Sequence, residues 1–152
     1  MADIIHRIGI KAPVSQVYSA LSTIEGLAGW WTTSTSGVSK EGGRLEFTFL
    51  SPKGDQVGKM DMDVTQLVPG ECVRWVCRAG PADWIGTEFE FKLSHQDGMT
   101  LVLFAHKKWA AATESMAHCS TKWAVFLLSL RDLVEKGKGQ PSPHDIKIDN
   151  WN

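Results

Sequence analysis

The rhythm of apolar and polar positions changes twice along the chain. Between Asp3 and Lys11, Ile4, His6, Ile8 and Ile10 alternate with Ile5, Arg7, Gly9 and Lys11, which predicts a short strand with one mostly apolar face. Pro13 closes it and suits the first turn of a helix carrying Val14, Val17, Tyr18 and Leu21 at helical spacing. Gly26 separates this helix from a second short one around Leu27 to Trp31. From Gly42 the period becomes two. Leu45, Phe47 and Phe49 alternate with Arg44, Glu46 and Thr48, and Met60, Met62 and Val64 with Lys59, Asp61 and Asp63. Val73, Trp75 and Cys77 alternate with Arg74 and Arg78, and Phe89, Phe91 and Leu93 with Glu88, Glu90 and Lys92. Turn signals separate these half-buried strands, at Ser51 to Asp55, Val68-Pro69-Gly70, Gly80-Pro81 and His95 to Gly98, so successive hairpins form a meander.

The stretch Met99 to Lys107 is apolar on both faces, which places it centrally or beside the first strand. A small, polar segment from Trp109 to Ser115 follows, and then the helical period returns. Trp123, Phe126, Leu127, Leu130, Leu133 and Val134 share one face of a long helix that begins between Glu114 and Ser120. Gly137, Gly139, Pro141 and Pro143 stop it. The order is strand, two short helices, five or six strands, long helix. One curved antiparallel sheet with the long helix laid on its apolar face buries both patterns at once, an α+β single domain over residues 1–152.

Composition narrows the function classes. A net charge of -1 supplies no positive field for nucleic acid or an anionic membrane surface. No apolar run reaches the roughly 20 residues of a membrane span, and MADIIHRIGIKAP lacks the apolar core of a secretory signal, so a cytoplasmic location is expected. Cys72, Cys77 and Cys119 form no metal-ligand spacing, and an odd count argues against a disulfide framework. Seven tryptophans against one tyrosine is the unusual feature, because rings of that size need a wall or a ligand to pack on.

Particular residues set in this order resemble the helix-grip fold of the START-like superfamily, also called SRPBCC, and within it the family named for the activator of heat shock protein 90 ATPase homologue. They are Ala12-Pro13-Val14 with Val17 and Leu21, the run Gly26 to Thr32 (GLAGWWT), Gly43, Phe104-Ala105-His106 followed by Trp109, Trp123, and the GKGQPSP ending. Where the family often has glycine between the histidine and the tryptophan, this chain has Lys107-Lys108. The resemblance implies a curved sheet of about six or seven strands around a long C-terminal helix, with a hydrophobic cavity between them. On the inward faces, Trp30, Trp31, Phe47, Phe49, Met60, Met62, Trp75, Phe89, Phe91, Trp123, Phe126, Leu127 and Leu130 would then line the cavity, with the last four as its lid. Trp31, Trp75 and Trp123 lead that set. The competing reading is a filled core, the usual fate of aromatics at such spacing.

Chemistry is harder to find. The five histidines, His6, His95, His106, His118 and His144, show no HxH or HExxH spacing, so no metal site is expected, and no cofactor motif is present. His106, between an apolar strand and Trp109, would sit at the cavity mouth, or else serve as a hydrogen-bonded histidine at a strand end. His118, near the start of the long helix, would be neutral beside the positive dipole end. These two are the candidate catalytic residues. Asp61 with Asp63, and Glu88 with Glu90, share the solvent face of their strands, and Cys119 has no evident partner base.

The leading expectation is a protein that holds a hydrophobic or aromatic small molecule between helix and sheet. The first alternative is a polyketide cyclase- or hydrolase-like enzyme using a cavity histidine. The second is an interaction module like the chaperone-ATPase activator, against which stands the extra N-terminal domain of the eukaryotic activator, for which this length has no room. An apolar edge strand or Trp151 in the tail would pair two copies as a homodimer.

Overall fold

Seven antiparallel strands form one sheet in the computed structural model, which describes residues 1–152, and three helices cover its inner face. The strands are β1 (Ala2–Ile10), β2 (Ser34–Gly37), β3 (Arg44–Leu50), β4 (Gln56–Val68), β5 (Cys72–Ala79), β6 (Glu88–Gln96) and β7 (Met99–Trp109). The helices are α1 (Val14–Ser22), α2 (Ile24–Trp30) and α3 (Glu114–Lys136). Spatial order is β1-β7-β6-β5-β4-β3-β2, so the first strand closes on the last and the rest is a meander. This is the helix-grip fold.

The period-two faces point where the alternation puts them. His6 pairs across the sheet with Phe104, Phe91 with Phe104, and Phe89 with both Trp75 and His106, all on the inner face. Leu45, Phe47, Met62, Val64, Val73, Trp75, Phe89, Phe91 and Phe104 are buried there almost completely. The outer face holds ion pairs instead. Asp63 accepts from Arg44 at 2.9 Å and Arg78 at 2.8 Å, and Glu90 lies 2.7 Å from Arg74 and 3.1 Å from Lys107. The Arg44 and Arg78 side chains hold the Asp63 carboxyl below its ordinary range. Burial pushes Glu90 up, but Lys107, Arg74 and Lys92 outweigh it and keep that carboxyl low. The carboxylate pairs are therefore structural.

Edge strand β2, reading STSG, has no apolar residue to announce it; its backbone pairing with β3 makes it a strand. Helix α3 starts at the early end of its expected range because the Thr113 hydroxyl caps it, accepting from the Met116 amide at 3.2 Å. Glu114 in the first turn and Lys136 in the last both complement the helix dipole. Gly137, at φ 83°, takes the left-handed cap that ends it. Trp123, Phe126, Leu127 and Leu130 are buried beneath it. Burying each aliphatic or phenyl side chain stabilises by about 1.5–3 kcal/mol, more than any helix-propensity difference among them.

The strand β7 bulge explains a point of sequence. Pairing with β1 slips between Ala2 and Ile4, and Lys108 adopts φ 70°, donating its amide to Asp3 Oδ1 at 3.0 Å. A left-handed residue at this place is what glycine supplies most easily, and here Lys108 takes it.

Candidate functional site

Space beneath the middle of α3 is filled. Trp31 stacks on Trp75 with centroids 6.0 Å apart and on Trp30 at 6.1 Å, and packs against Phe47 at 4.4 Å and Trp123 at 5.0 Å. Rings bridge sheet to helix without a gap. A pocket opens instead at one end of this stack, with a volume of about 340 Å³, toward the small end of the range for small-molecule sites. Trp31, Trp84 and Trp123 form its inner wall. Phe49 to Pro52, Val57 and Met60 of the β3–β4 hairpin make one side, and His118, Cys119, Lys122 and Phe126 of α3 another. Ser142, Pro143, Asp145, Lys147, Trp151 and Asn152 of the C-terminal tail make the third.

The tail reaches the pocket through contacts made by small residues. A Cβ on Gly139 would lie 2.6 Å from the Gly29 carbonyl oxygen and 2.8 Å from that of Ser129, so only glycine lets the chain pass there. The Ser129 hydroxyl donates to the Trp30 carbonyl at 2.9 Å and accepts from the Gln140 amide at 2.7 Å. Ser142 donates its amide to the Trp31 carbonyl at 2.8 Å and accepts from the Thr33 amide at 3.1 Å. Beyond Pro143 the tail runs back along α3. Asp145 pairs with Lys122, and Asp149 Oδ2 lies 2.7 Å from His118 Nδ1.

Behind the inner wall runs a chain of hydrogen bonds. Trp123 Nε1–H donates to His106 Nδ1 at 3.2 Å, which leaves the proton on Nε2 to be donated to Thr87 Oγ1 at 2.8 Å. The Thr87 hydroxyl in turn donates to the Trp84 carbonyl. His106 is fully buried, 4.0 Å from the Phe89 ring and 4.8 Å from Trp84. Burial drops its pKa to about 3, so the imidazole is neutral and both nitrogens are engaged. It positions Trp84 and Trp123, the two rings of the inner wall. Burial likewise pushes the Cys119 thiol up to about 11, which removes it as a nucleophile near neutrality. No group of three or more His, Cys, Asp or Glu side chains is placed to hold a metal ion.

A family model, Activator of Hsp90 ATPase homolog 1-like protein, matches residues 11–135. The chain belongs to that family. Among solved structures, the Aha1 dimer from Colwellia psychrerythraea is 46% identical, with a TM-score of 0.81, 91% of this chain covered and 100% of that one. A Staphylococcus saprophyticus protein at 16% identity and TM-score 0.73 (93% of this chain, 98% of that one) shares the fold. So does CalU16 from Micromonospora echinospora, at 24% and 0.65, with 93% and 77% covered. No curated protein matches.

In this member of the activator-homologue family, the residues expected to line a cavity divide into two groups. Trp31, Phe49, Met60, Trp123 and Phe126 meet at the pocket. Trp30, Phe47, Met62, Trp75, Phe89, Phe91, Leu127 and Leu130 lie in the packed interior, and the lid over the pocket is the tail, not Leu127 and Leu130. His106, expected at the mouth, lies behind the wall, because its strand partner Phe89 and the indoles of Trp84 and Trp123 enclose it. His118 does reach the pocket edge, where it meets Asp149. Two parts of the site carried no periodic signal. Trp84 sits in an irregular loop, and the tail docks through backbone groups; the GKGQPSP ending is therefore a built joint as well as a stop signal. No helix is long and apolar enough to cross a membrane.

Proposed function

We propose that this protein binds a hydrophobic or aromatic small molecule at the end of the helix-sheet stack, within the cytoplasm. One observation carries the reading: a pocket of about 340 Å³ walled by indole, phenyl and thioether side chains, with a few polar groups at its rim. Native mass spectrometry of protein purified from its own cells, followed by a fluorescence screen of apolar compounds, tests it. A retained mass or a saturable quench of tryptophan emission, lost in Met60→Trp, supports the reading; an empty protein that responds to no compound overturns it. The cyclase- or hydrolase-like alternative finds less support, since His106 is enclosed with both nitrogens engaged and only His118, paired through Nδ1 with Asp149, reaches the pocket edge.

A second reading has its own support, from the Colwellia relative that is named Aha1 and assembles as a dimer. Here the chain would be a homodimer acting on a heat shock protein 90 ATPase. Ile5 and Leu103, exposed on adjacent strands at the β1 edge, supply an apolar patch for pairing. Analytical ultracentrifugation and the chaperone's ATP turnover with and without added protein test both halves. A monomer that leaves turnover unchanged removes this reading.

A further inference from the structure

The rim of the pocket contains two basic side chains four residues apart on one face of α3, His118 and Lys122. Across from them the tail offers two carboxylates four residues apart in the opposite direction, Asp149 and Asp145. The two pairs differ in burial. Asp149 is open to solvent, whereas the Lys122 and Asp145 side chains are only 11% and 10% exposed. The Lys122 ammonium stands 5.0 Å from the centre of the Phe126 ring and also donates to the Ile146 carbonyl at 2.9 Å. Asn152 Nδ2 donates to the same Asp145 oxygen, Oδ2, at 3.1 Å.

An ammonium taken out of water beside an apolar wall requires an anion. Within the pocket lining Lys122 and Lys147 stand against Asp145, and Asp149 is engaged by His118 at the edge. Lys122 is the buried cation that a guest in this pocket meets, and an anionic group is what it can accept in exchange for Asp145. The anion already present belongs to the tail, and the same tail closes the third side of the pocket.

We propose that the ligand is an aromatic or apolar acid whose anionic group takes the place of Asp145 on Lys122, its flat body lying against Trp31, Trp84 and Trp123. Asp145 is thus a built-in competitor, and the tail from Pro143 onward is a strap that an acid displaces and a neutral compound leaves in place. This rests on the small-molecule reading above and adds the charge of the ligand and the residue that selects it.

Two dyes of one skeleton separate the claims: neutral N-phenylnaphthylamine and its sulfonate, anilinonaphthalene sulfonate, each titrated by fluorescence with stoichiometry from calorimetry. The wild type is expected to bind one equivalent of each. Lys122→Met should weaken the sulfonate about tenfold or more, the worth of one charge-assisted hydrogen bond, and leave the neutral dye's affinity nearly unchanged. Asp145→Asn should move the sulfonate in the opposite direction, tightening it by a similar factor through loss of the competitor, and raise amide exchange in residues 144–152. A stoichiometry of one and an unchanged denaturation midpoint distinguish a gain at the pocket from dye uptake by a loosened chain. Equal effects on both dyes in either variant, or no tightening with Asp145→Asn, overturn the acid-selection proposal while the pocket stands. Failure of both dyes to bind the wild type overturns the pocket reading with it.

Discussion

The two ends of the aromatic stack are built from the same residue types and behave oppositely. At the closed end, Trp30, Trp75 and Phe91 interlock with ring centroids 5.3 and 6.1 Å apart and no exposed surface. At the open end, Trp31, Trp123 and Phe126 have one face packed and one face on the pocket, and the missing neighbours are replaced by a hairpin and a tail. Polar groups follow the same division. Behind the wall they are neutral and linked to one another, as in the chain from Trp123 through His106 to Thr87. At the rim they are ionic and can exchange partners. A helix-grip fold thus obtains a rigid wall and a replaceable lid from one continuous ring cluster.

The sharpest break in this comparison is truncation at each end. Trp75→Ala in the interior should cost about 3–5 kcal/mol, seen as a large fall in denaturation midpoint, whereas Val57→Ala at the mouth, 69% exposed, should stay within about 0.5 kcal/mol. Equal costs would mean the interior is no better packed than the mouth.

The next effect is smaller and appears with acid. The fold holds the His106 pKa at about 3, whereas the unfolded chain titrates it near 6.5. Below 6.5 the unfolded state therefore binds a proton that the folded state refuses. The contribution is complete above 6.5 and drains away as pH falls toward 3, at up to about 1.4 kcal/mol per pH unit. Between pH 7 and pH 4.5 the wild type should lose about 2 kcal/mol more stability than His106→Gln. Parallel losses in the two proteins would show that His106 accepts its proton in the folded state.

Which parts of this arrangement were legible follows from the kind of force involved. Strands β3 to β7 and helix α3 announce themselves because a hydrophobic face imposes a period, and Thr113, Glu114 and Gly137 mark the helix ends by hydrogen bonding and dipole. Periodicity reports the face and not the depth, so Trp75 and Trp31 look alike in sequence although only Trp31 reaches the pocket. Strand β2 is held by backbone pairing alone. The joint at the start of the tail is held by Gly139, Ser142 and the Ser129 hydroxyl, residues whose contribution is a close approach or a hydrogen bond to the main chain. His106 was recognisable as a notable residue, but its enclosure depends on Trp84, which lies in a loop without a pattern.

The joint of the tail gives an intermediate effect. In Gly139→Ala the added methyl meets two carbonyl oxygens at 2.6 and 2.8 Å, both on packed helices that cannot move aside. A cost of about 1–3 kcal/mol is expected. Its signature is local: the amides of Gln140 and Ser142 should exchange faster while that of Trp75 keeps its protection. Uniform loss of protection would show that the strap and the interior unfold as one unit.

The smallest expected effect is a gain. Lys108 holds φ 70° at the β1–β7 bulge, a conformation that costs a side-chain-bearing residue roughly 1–2 kcal/mol relative to glycine. Its amide bond to Asp3 Oδ1 survives substitution, because it belongs to the backbone. What Lys108→Gly removes is the ion pair between its ammonium and Glu88 at 2.7 Å, both partners partly solvated, worth under about 1 kcal/mol. Glycine also adds freedom to the unfolded chain, which takes back part of the gain. The balance is a stabilisation of no more than about 1 kcal/mol, measurable as a rise of a few degrees in Tm at low denaturant. It should be larger at high salt, where the lost ion pair matters least. A fall in Tm under both conditions would mean that the bulge carries no strain and that Lys108 is held there by its partner alone.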